Sequence, residues 1–158
     1  MKIDAFQRLL QPVMDTVAGR AVDQQLAEAL NTSFPCEGGA FRAIEAACHE
    51  AISDGWMCAQ GGEGRRFGRV VEPGAETHDL SVDVVDLQDV VGPHHRHPKG
   101  EICMVMPVDE AARFNDNPRG WCVFEPGSDH FPTVEGGRSL VLYLLPGGEI
   151  EFTGLAAP

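Results

Sequence analysis

The chain has 158 residues, 43% of them hydrophobic and 23% charged, a composition typical of a soluble globular domain with a sizeable core. Acidic residues outnumber basic ones by 24 to 12, which gives a formal net charge of -12, and Lys2 and Lys99 are the only lysines. Such a surface repels phosphate backbones, so we expect no nucleic-acid partner, whereas a small anionic substrate is allowed where local arginines or a metal offset the field.

Cysteine usage and hydropathy indicate a cytoplasmic protein. The five cysteines form no C-x-x-C pair, and their odd number disfavours a disulfide framework. Asp4, Arg8 and Asp15 interrupt the apolar pattern of the first residues, so no signal peptide is expected. The longest apolar run, Leu140–Leu145, is too short to span a bilayer, and we expect no membrane partner.

The first third of the chain predicts three helices. Apolar residues recur at three- and four-residue spacing over Phe6–Val17, Val22–Leu30 and Phe41–Ile52. Gly19 and Gly55 supply stop signals, and Pro12 lies inside the first pattern, where it starts or kinks the helix. We expect residues 1–55 to form a helical cap on the rest of the chain.

From residue 56 onward, glycine and proline turns separate short strands. The predicted strands are Phe67–Val71, Leu80–Asp86, Glu101–Met106, Trp121–Phe124, Phe131–Val134, Ser139–Leu145 and Glu149–Thr153. Gly136-Gly137 predicts a hairpin turn. Turns every eight to twelve residues or so favour a β-sandwich or a small jelly-roll barrel. We therefore predict one α+β domain, predominantly β, over residues 1–158, with the β-barrel in residues 56–158.

Two segments concentrate residues that bind metals. His95, His97 and Glu101 lie at even spacing, so an extended path puts all three on one face unless a turn at Pro98 disturbs the alternation. His130 supplies a third imidazole further along the chain. These residues also fit a surface loop, but the joint spacing favours one divalent metal. Three imidazoles and a carboxylate admit iron, manganese, nickel, cobalt or zinc, with open positions for water or substrate.

The same two segments resemble the paired motifs of cupins. H-x-H-x-x-x-E at residues 95–101 is similar to the first motif, and G-x-x-x-x-x-P-G-x-x-H at residues 120–130 is similar to the second. The resemblance implies that the three histidines and the glutamate bind a metal inside the mouth of a cupin-like barrel. Pro126-Gly127 departs from the usual P-x-G, and Val134 stands where an asparagine is often found.

Segments spread over most of the chain resemble a narrower family. After the helical N-terminus they are Gly68–Val71, Ser81–Val85, His97–Ile102, Gly120-Trp121, Pro126–His130 and Leu142–Pro146. Together they are similar to the 4-hydroxylaminobenzoate lyase family, although Lys99 stands where we expect asparagine. The resemblance implies a small aromatic acid as substrate and its conversion to protocatechuate and ammonia.

That reaction needs no external redox cofactor, because hydroxylaminobenzoate plus water balances protocatechuate plus ammonia. The chain has neither a G-x-G-x-x-G fingerprint nor a P-loop, so we expect no nucleotide cofactor. The difficult step is cleavage of the N–O bond, which a Lewis-acidic metal or a positioned acid can assist. Water then adds to the ring, and hydrolysis of an imine releases ammonia. If Glu101 is not a metal ligand, it is the first candidate for the acid/base group.

A substrate carboxylate favours a bidentate arginine. Arg65, Arg66 and Arg69 precede the barrel strands, and each also fits a solvated loop that balances the acidic surface. We prefer Arg69, because it lies in the family-like Gly68–Val71 segment.

Three further residues complete the predicted site. His78 is a candidate acid/base group beyond the metal, although a lone histidine is more often structural. Tyr143 and Trp121 are candidate substrate-binding residues that fit the core equally well.

Other functions are compatible with the same metal site. A cupin dioxygenase or isomerase of a small aromatic or keto acid would change the reaction, and a non-catalytic cupin would only bind a small acid. Leu140–Leu145 is apolar on both faces, which indicates a central or interface strand and suggests a homodimer.

Overall fold

The computed structural model describes residues 1–158 as three helices followed by ten strands. The helices are α1 (Ile3–Val17), α2 (Gln24–Ser33) and α3 (Gly39–Asp54). The strands are β1 (Gln60–Gly62), β2 (Arg65–Val71), β3 (Leu80–Val91), β4 (His95–His97), β5 (Glu101–Pro107), β6 (Arg113–Phe114), β7 (Gly120–Phe124), β8 (Ser128–His130), β9 (Thr133–Pro146) and β10 (Glu151–Phe152). No helix combines the length and apolar character that crossing a bilayer requires.

Local signals account for the helices. The side chain of Asp23 accepts a hydrogen bond from the backbone N–H of Leu26 at 3.0 Å and so caps the start of α2. Gly55 has a left-handed backbone conformation and ends α3. Pro12 lies inside α1, which begins at Ile3, so the proline does not start that helix.

The strands form two antiparallel sheets. The large sheet has the order β1-β2-β3-β9-β5-β7, with β6 also paired to β9, and the small sheet has the order β10-β4-β8. This arrangement confirms the predicted α+β class, predominantly β, in which N-terminal helices precede antiparallel sheets. It differs from a closed barrel, because no strand of the large sheet pairs with a strand of the small sheet.

The large sheet buries a different core on each face. On the helix side, the core comprises 24 buried residues from the three helices and from alternate strand positions such as Val82, Met104 and Leu142. On the other side, nine buried residues form a smaller core around Cys103 and Tyr143. Successive residues of a strand point to opposite faces, so each central strand contributes to both cores.

The position of β9 explains its apolar composition. Both its faces are buried within this chain, as predicted for a central strand. Leu140–Leu145 therefore gives no separate support for a homodimer, which stays a prediction.

Gly136-Gly137 is not the hairpin turn that the sequence suggests. Both glycines lie inside β9, with φ angles of 83° and 126°, where the pairing with β3 shifts register between Gln88 and Val90. The backbone N–H of Gly137 donates to the side chain of Asp89 at 3.0 Å. The glycines thus make a bulge in a long strand. The strand predicted from Phe131 begins at Thr133 and runs through that bulge.

A tight turn carries the chain from the small sheet to the large one. Gly100 lies between β4 and β5 with a φ of 88°, a conformation that side chains rarely adopt. Its backbone packs so closely against Val22 and the carbonyl of Phe124 that a Cβ atom would collide with both. The turn directs the next residue, Glu101, toward the small sheet.

Candidate metal centre

Four side chains converge between the two sheets. His95 and His97 come from β4, His130 from β8 and Glu101 from the first position of β5. His95 lies directly opposite His130 in the antiparallel pairing, which holds their imidazoles together. One ligand atom from each of the four lies within 4.8 Å of the others.

The separations of these atoms fit a coordination sphere. The His97 Nε2 and His95 Nε2 atoms lie 3.0 Å and 3.3 Å from Glu101 Oε2. The His130 Nε2 lies 3.0 Å from the His95 Nε2 and 3.7 Å from Glu101 Oε1. Two ligands at right angles around a metal, each bonded at about 2.1 Å, are themselves about 3.0 Å apart. The cluster therefore has the dimensions of a divalent metal site.

The burial of Glu101 requires a positive partner. The residue is 0% exposed, and its Oε1 accepts a hydrogen bond from the Cys103 thiol at 3.1 Å. The Oε2 atom and the Nε2 of His97 are buried and lack an aligned hydrogen-bond partner. An ionised carboxylate is costly to bury unless a cation or donors compensate. A metal ion between these atoms would satisfy both.

The pKa of Glu101 favours the charged form. Burial raises the pKa of a carboxyl group, but the imidazoles of His95 and His97 outweigh that effect and lower it to about 2. Glu101 is thus ionised near neutral pH, as a metal ligand must be, and holds no proton to donate as an acid.

A hydrogen-bond chain sets the tautomer of His97. The Ser128 hydroxyl donates its only hydrogen to the backbone carbonyl of Glu125 at 2.5 Å. It therefore accepts from the Nδ1–H of His97, 3.1 Å away, so Nε2 is the atom of His97 that faces the other ligands and is left to bind a metal. Such a partner behind a metal-binding imidazole fixes its orientation.

His130 is also held in the neutral form that binds metals. Burial lowers its pKa to about 4 from an ordinary value of 6.5. The Nδ1 of His130 is buried and makes no hydrogen bond, unlike that of His97.

A cavity of about 300 Å³ adjoins the cluster at His95. It runs along the site side of the large sheet, and Phe152 of β10 and Ile150 close it from the other side. The Phe152 ring lies 5.9 Å from the His95 ring. The volume suits one small aromatic molecule beside the metal ligands. Its lining residues are Gln60, Arg65, Phe67, Gly68, Arg69, Asp83, Val84, Val85, Leu87, Gly92, Pro93, His95, Pro132, Tyr143, Leu145, Ile150 and Phe152.

Two of the predicted substrate-binding residues line this cavity. The ring centroid of Tyr143 lies 6.5 Å from that of His95, and its buried hydroxyl has no hydrogen-bond partner. Arg69 also lines the cavity, but its guanidinium is bound to Asp83 at 2.9 Å and to the carbonyl of Gly148 at 2.9 Å.

The structure places Trp121 and His78 elsewhere. Trp121 belongs to the helix-side core, where its indole N–H donates to the carbonyl of Phe34, on the opposite face of the sheet from the cluster. The Nε2 of His78 lies 2.8 Å from the carboxylate of Asp15 on α1, and His78 does not line the cavity. Neither residue contributes to this site.

Several site residues were not identified from the sequence. Val85, Leu87 and Leu145 share the alternation of Asp83 and Tyr143, and that parity would have assigned them to the cavity wall. No local signal identifies Ser128 as the partner of His97 or Phe152 as a cavity wall, because both roles depend on pairing within the small sheet.

Comparison with known proteins identifies the family. The model of the 4-hydroxylaminobenzoate lyase family matches residues 8–152. The chain belongs to this family. A 4-hydroxylaminobenzoate lyase from Nocardioides sp. (strain LMS-CY) is 30% identical over 151 residues, covering 89% of this chain and 89% of the relative. A second lyase of the same name, from Pseudomonas putida, is 28% identical over 160 residues, covering 90% and 89%.

Two solved structures of proteins with other names show some structural similarity to this chain. One is an RmlC-like cupin protein from Ralstonia eutropha, 12% identical, with a TM-score of 0.45 over 62% of this chain and 68% of that one. Another is a polyketide cyclase from Streptomyces resistomycificus, 15% identical, with a TM-score of 0.41 over 61% and 75%.

Loss of the Ser128 hydroxyl should weaken metal binding. In Ser128→Ala, the His97 imidazole loses the acceptor that fixes its tautomer, and we expect a 10- to 100-fold weaker affinity, roughly, for a divalent metal. Competition with a chromophoric chelator measures this affinity. Ser128→Thr keeps the hydroxyl and should retain most of it, and Ser33→Ala, at the end of α2, is a control. Unchanged affinity in Ser128→Ala would show that the hydrogen bond does not support the site.

Acid should destabilise the metal-free protein through His130. Its pKa is about 4 when folded and 6.5 when unfolded, so the unfolded state takes up the proton first. The free energy of unfolding should therefore fall as the pH drops from 6.5 to 4, by up to about 3 kcal/mol from this residue. Urea titrations of chelator-treated protein at pH 7 and 4.5 measure the loss. His130→Gln should show a smaller loss, and equal losses in both proteins would contradict the assignment.

Proposed function

We propose that this protein is a metal-dependent lyase that converts 4-hydroxylaminobenzoate, or a similar hydroxylamino-aromatic acid, to protocatechuate and ammonia. One observation supports this above the rest: a buried cluster of three histidines and a glutamate borders a cavity of about 300 Å³ in a member of this lyase family. Both relatives named above are called 4-hydroxylaminobenzoate lyase.

The walls of the cavity suit an aromatic ring. Apolar side chains from the large sheet line one side, and Phe152 covers the end beside His95. A ring between these walls places one substituent near the ligand cluster and Tyr143. The opposite substituent points across the sheet toward β2, whose Arg65 and Arg69 line the same cavity. Such a pose suits a hydroxylamino group at the metal end and a carboxylate at the other end.

His95, His97, His130 and Glu101 would hold the metal. When bound, a divalent metal supplies a Lewis acid that stabilises the negative charge developing on the oxygen that leaves nitrogen. Ser128 keeps the lone pair of His97 directed at that position. Glu101 is ionised, so its role in the proposal is that of a ligand and not of the acid.

Tyr143 is the proposed hydrogen-bond donor to the leaving oxygen. Burial, reinforced by the negative charge of Glu101, raises its pKa well above the ordinary value, so the phenol stays protonated. Its hydroxyl is buried and bonds to no other group in the chain. An unpaired donor beside the ligands is free to bind substrate and to hold a proton at its oxygen.

The proposed reaction balances without a redox partner. The N–O bond breaks and releases one water, a second water forms a C–O bond at the neighbouring ring carbon, and a third hydrolyses the resulting imine to release ammonia. The net change is the addition of one water and the loss of one ammonia. Molecular oxygen is therefore not consumed.

Anaerobic turnover tests this proposal. Metal-loaded protein given 4-hydroxylaminobenzoate without oxygen should yield protocatechuate and ammonia in equal amounts. Chromatography measures the protocatechuate, and an enzymatic assay measures the ammonia. His97→Ala should lose both bound metal and activity, because a ligand and the cation it holds are removed together. Full activity in metal-free His97→Ala would exclude the metal mechanism.

Other outcomes of the same experiment separate the alternatives. A requirement for oxygen, with measurable oxygen uptake, would indicate a cupin dioxygenase. Binding of 4-hydroxylaminobenzoate with no product would indicate a protein that only binds a small acid.

Replacing Tyr143 tests its role as a donor. Tyr143→Phe removes only the hydroxyl, so the metal content and the KM should stay close to those of the parent protein. The kcat should fall by about 10²- to 10⁴-fold, the usual contribution of a positioned proton donor. Steady-state kinetics with metal analysis measures all three quantities. An unchanged kcat would remove Tyr143 from the chemistry.

A further inference from the structure

Two arginines line the cavity from the same strand. Arg65 and Arg69 lie on one face of β2, separated by four residues, with Phe67 between them. Arg66, between Arg65 and Phe67 in the chain, belongs to the opposite face and does not line the cavity. The two lining arginines differ in what they already bind.

Arg69 is fully engaged within the chain. Its Nε bonds to Asp83 at 2.9 Å, its Nη2 donates to the carbonyl of Gly148 at 2.9 Å, and its Nη1 lies 3.5 Å from Glu72. Asp83 is held in turn by the hydroxyl of Ser81 at 2.8 Å. The positive charge of Arg69 is therefore balanced by a carboxylate that also lines the cavity.

Arg65 is free to bind an anion. Its side chain makes no hydrogen bond or ion pair with any residue of the chain, and its guanidinium carbon lies 5.0 Å from the centre of the Phe67 ring. A guanidinium that packs over an aromatic ring keeps the N–H donors along its edge available for a carboxylate. Since Asp83 offsets Arg69, Arg65 carries the uncompensated positive charge of the cavity.

The sheet register separates Arg65 from the row that holds Tyr143. Tyr143 lies opposite Asp83, and Asp83 lies opposite Arg69, so these three residues form one row across the sheet. Arg65 pairs with Leu87, four residues further along the strands, a distance of about 13 Å. Its guanidinium packs over the ring of Phe67, which lines the same cavity.

We propose that Arg65, and not Arg69, binds the carboxylate of the substrate. This inference rests on the proposed function for the identity of the substrate. Arg69 and Asp83 form a fixed polar wall, and Arg65 supplies the charge that attracts an acid to a chain of net charge -12.

Paired substrates test the assignment. Arg65→Met should raise the KM for 4-hydroxylaminobenzoate about 10- to 100-fold, because a charge-assisted hydrogen bond to the carboxylate is lost. The KM for the neutral 4-hydroxylaminobenzamide should change less than twofold or so, since the amide lacks that charge. Arg66→Met removes the same charge from the same strand but outside the cavity, and its KM for the acid should stay unchanged.

Three results would overturn the assignment. They are an unchanged KM for the acid in Arg65→Met, an equal rise in KM for the acid and the amide, or a rise of the same size in Arg66→Met. Arg65→Lys should recover part of the affinity, because it keeps the charge but not the forked geometry.

A binding assay separates this inference from the proposed lyase activity. If the wild-type protein makes no protocatechuate, the proposed function fails, and calorimetric titration with 4-aminobenzoate still tests Arg65. We expect Arg65→Met to bind this probe at least tenfold or so more weakly than wild type, with Arg66→Met unaffected. Equal affinity in wild type and Arg65→Met, or no binding by wild type, would overturn the role of Arg65.

Discussion

A carboxylate with no access to water is the constraint on which the site depends. Glu101 is 0% exposed and stays ionised because imidazoles surround it and a thiol donates to it. Such burial is tolerated only where positive charge compensates it. The convergence of three histidines, the hydrogen bond behind His97 and the depressed pKa of His130 all provide a place for a cation. The cavity, in turn, obtains its chemistry from the same cluster.

The fold meets this constraint because a single turn connects the small sheet to the large sheet, so that the two sheets face each other. The φ of 88° at Gly100 lets the chain leave the small sheet and enter the large one within a few residues. The histidines of β4 and the glutamate of β5 then point at each other from opposite layers. The same large sheet supports the helices on its other face, so the site rests on a rigid, doubly covered layer.

The sequence predicted well those features that are local. Helical periodicity and capping residues located the helices to within a few residues, and ligand type and spacing identified all four clustered side chains. One extended strand does not account for their convergence, because the turn that the sequence allows at Pro98 puts His97 and Glu101 in different sheets. The sequence left Trp121 open between the cavity and the core, because its surroundings depend on where the helices dock, and no local pattern records that. Likewise, nothing local distinguishes the engaged Arg69 from the free Arg65.

The alternation of side chains along the central strands also bears on how such a protein can diverge. On β9, Leu142 faces the helices and Tyr143 faces the cavity, although they are neighbours in the chain. Substitutions among residues of the first kind act first on the packing of the helices. Those of the second kind reshape the cavity and leave the helical layer undisturbed. The residues that shape the cavity and the residues that contact the helices can therefore change independently during evolution, although both sets lie on the backbone of the same sheet.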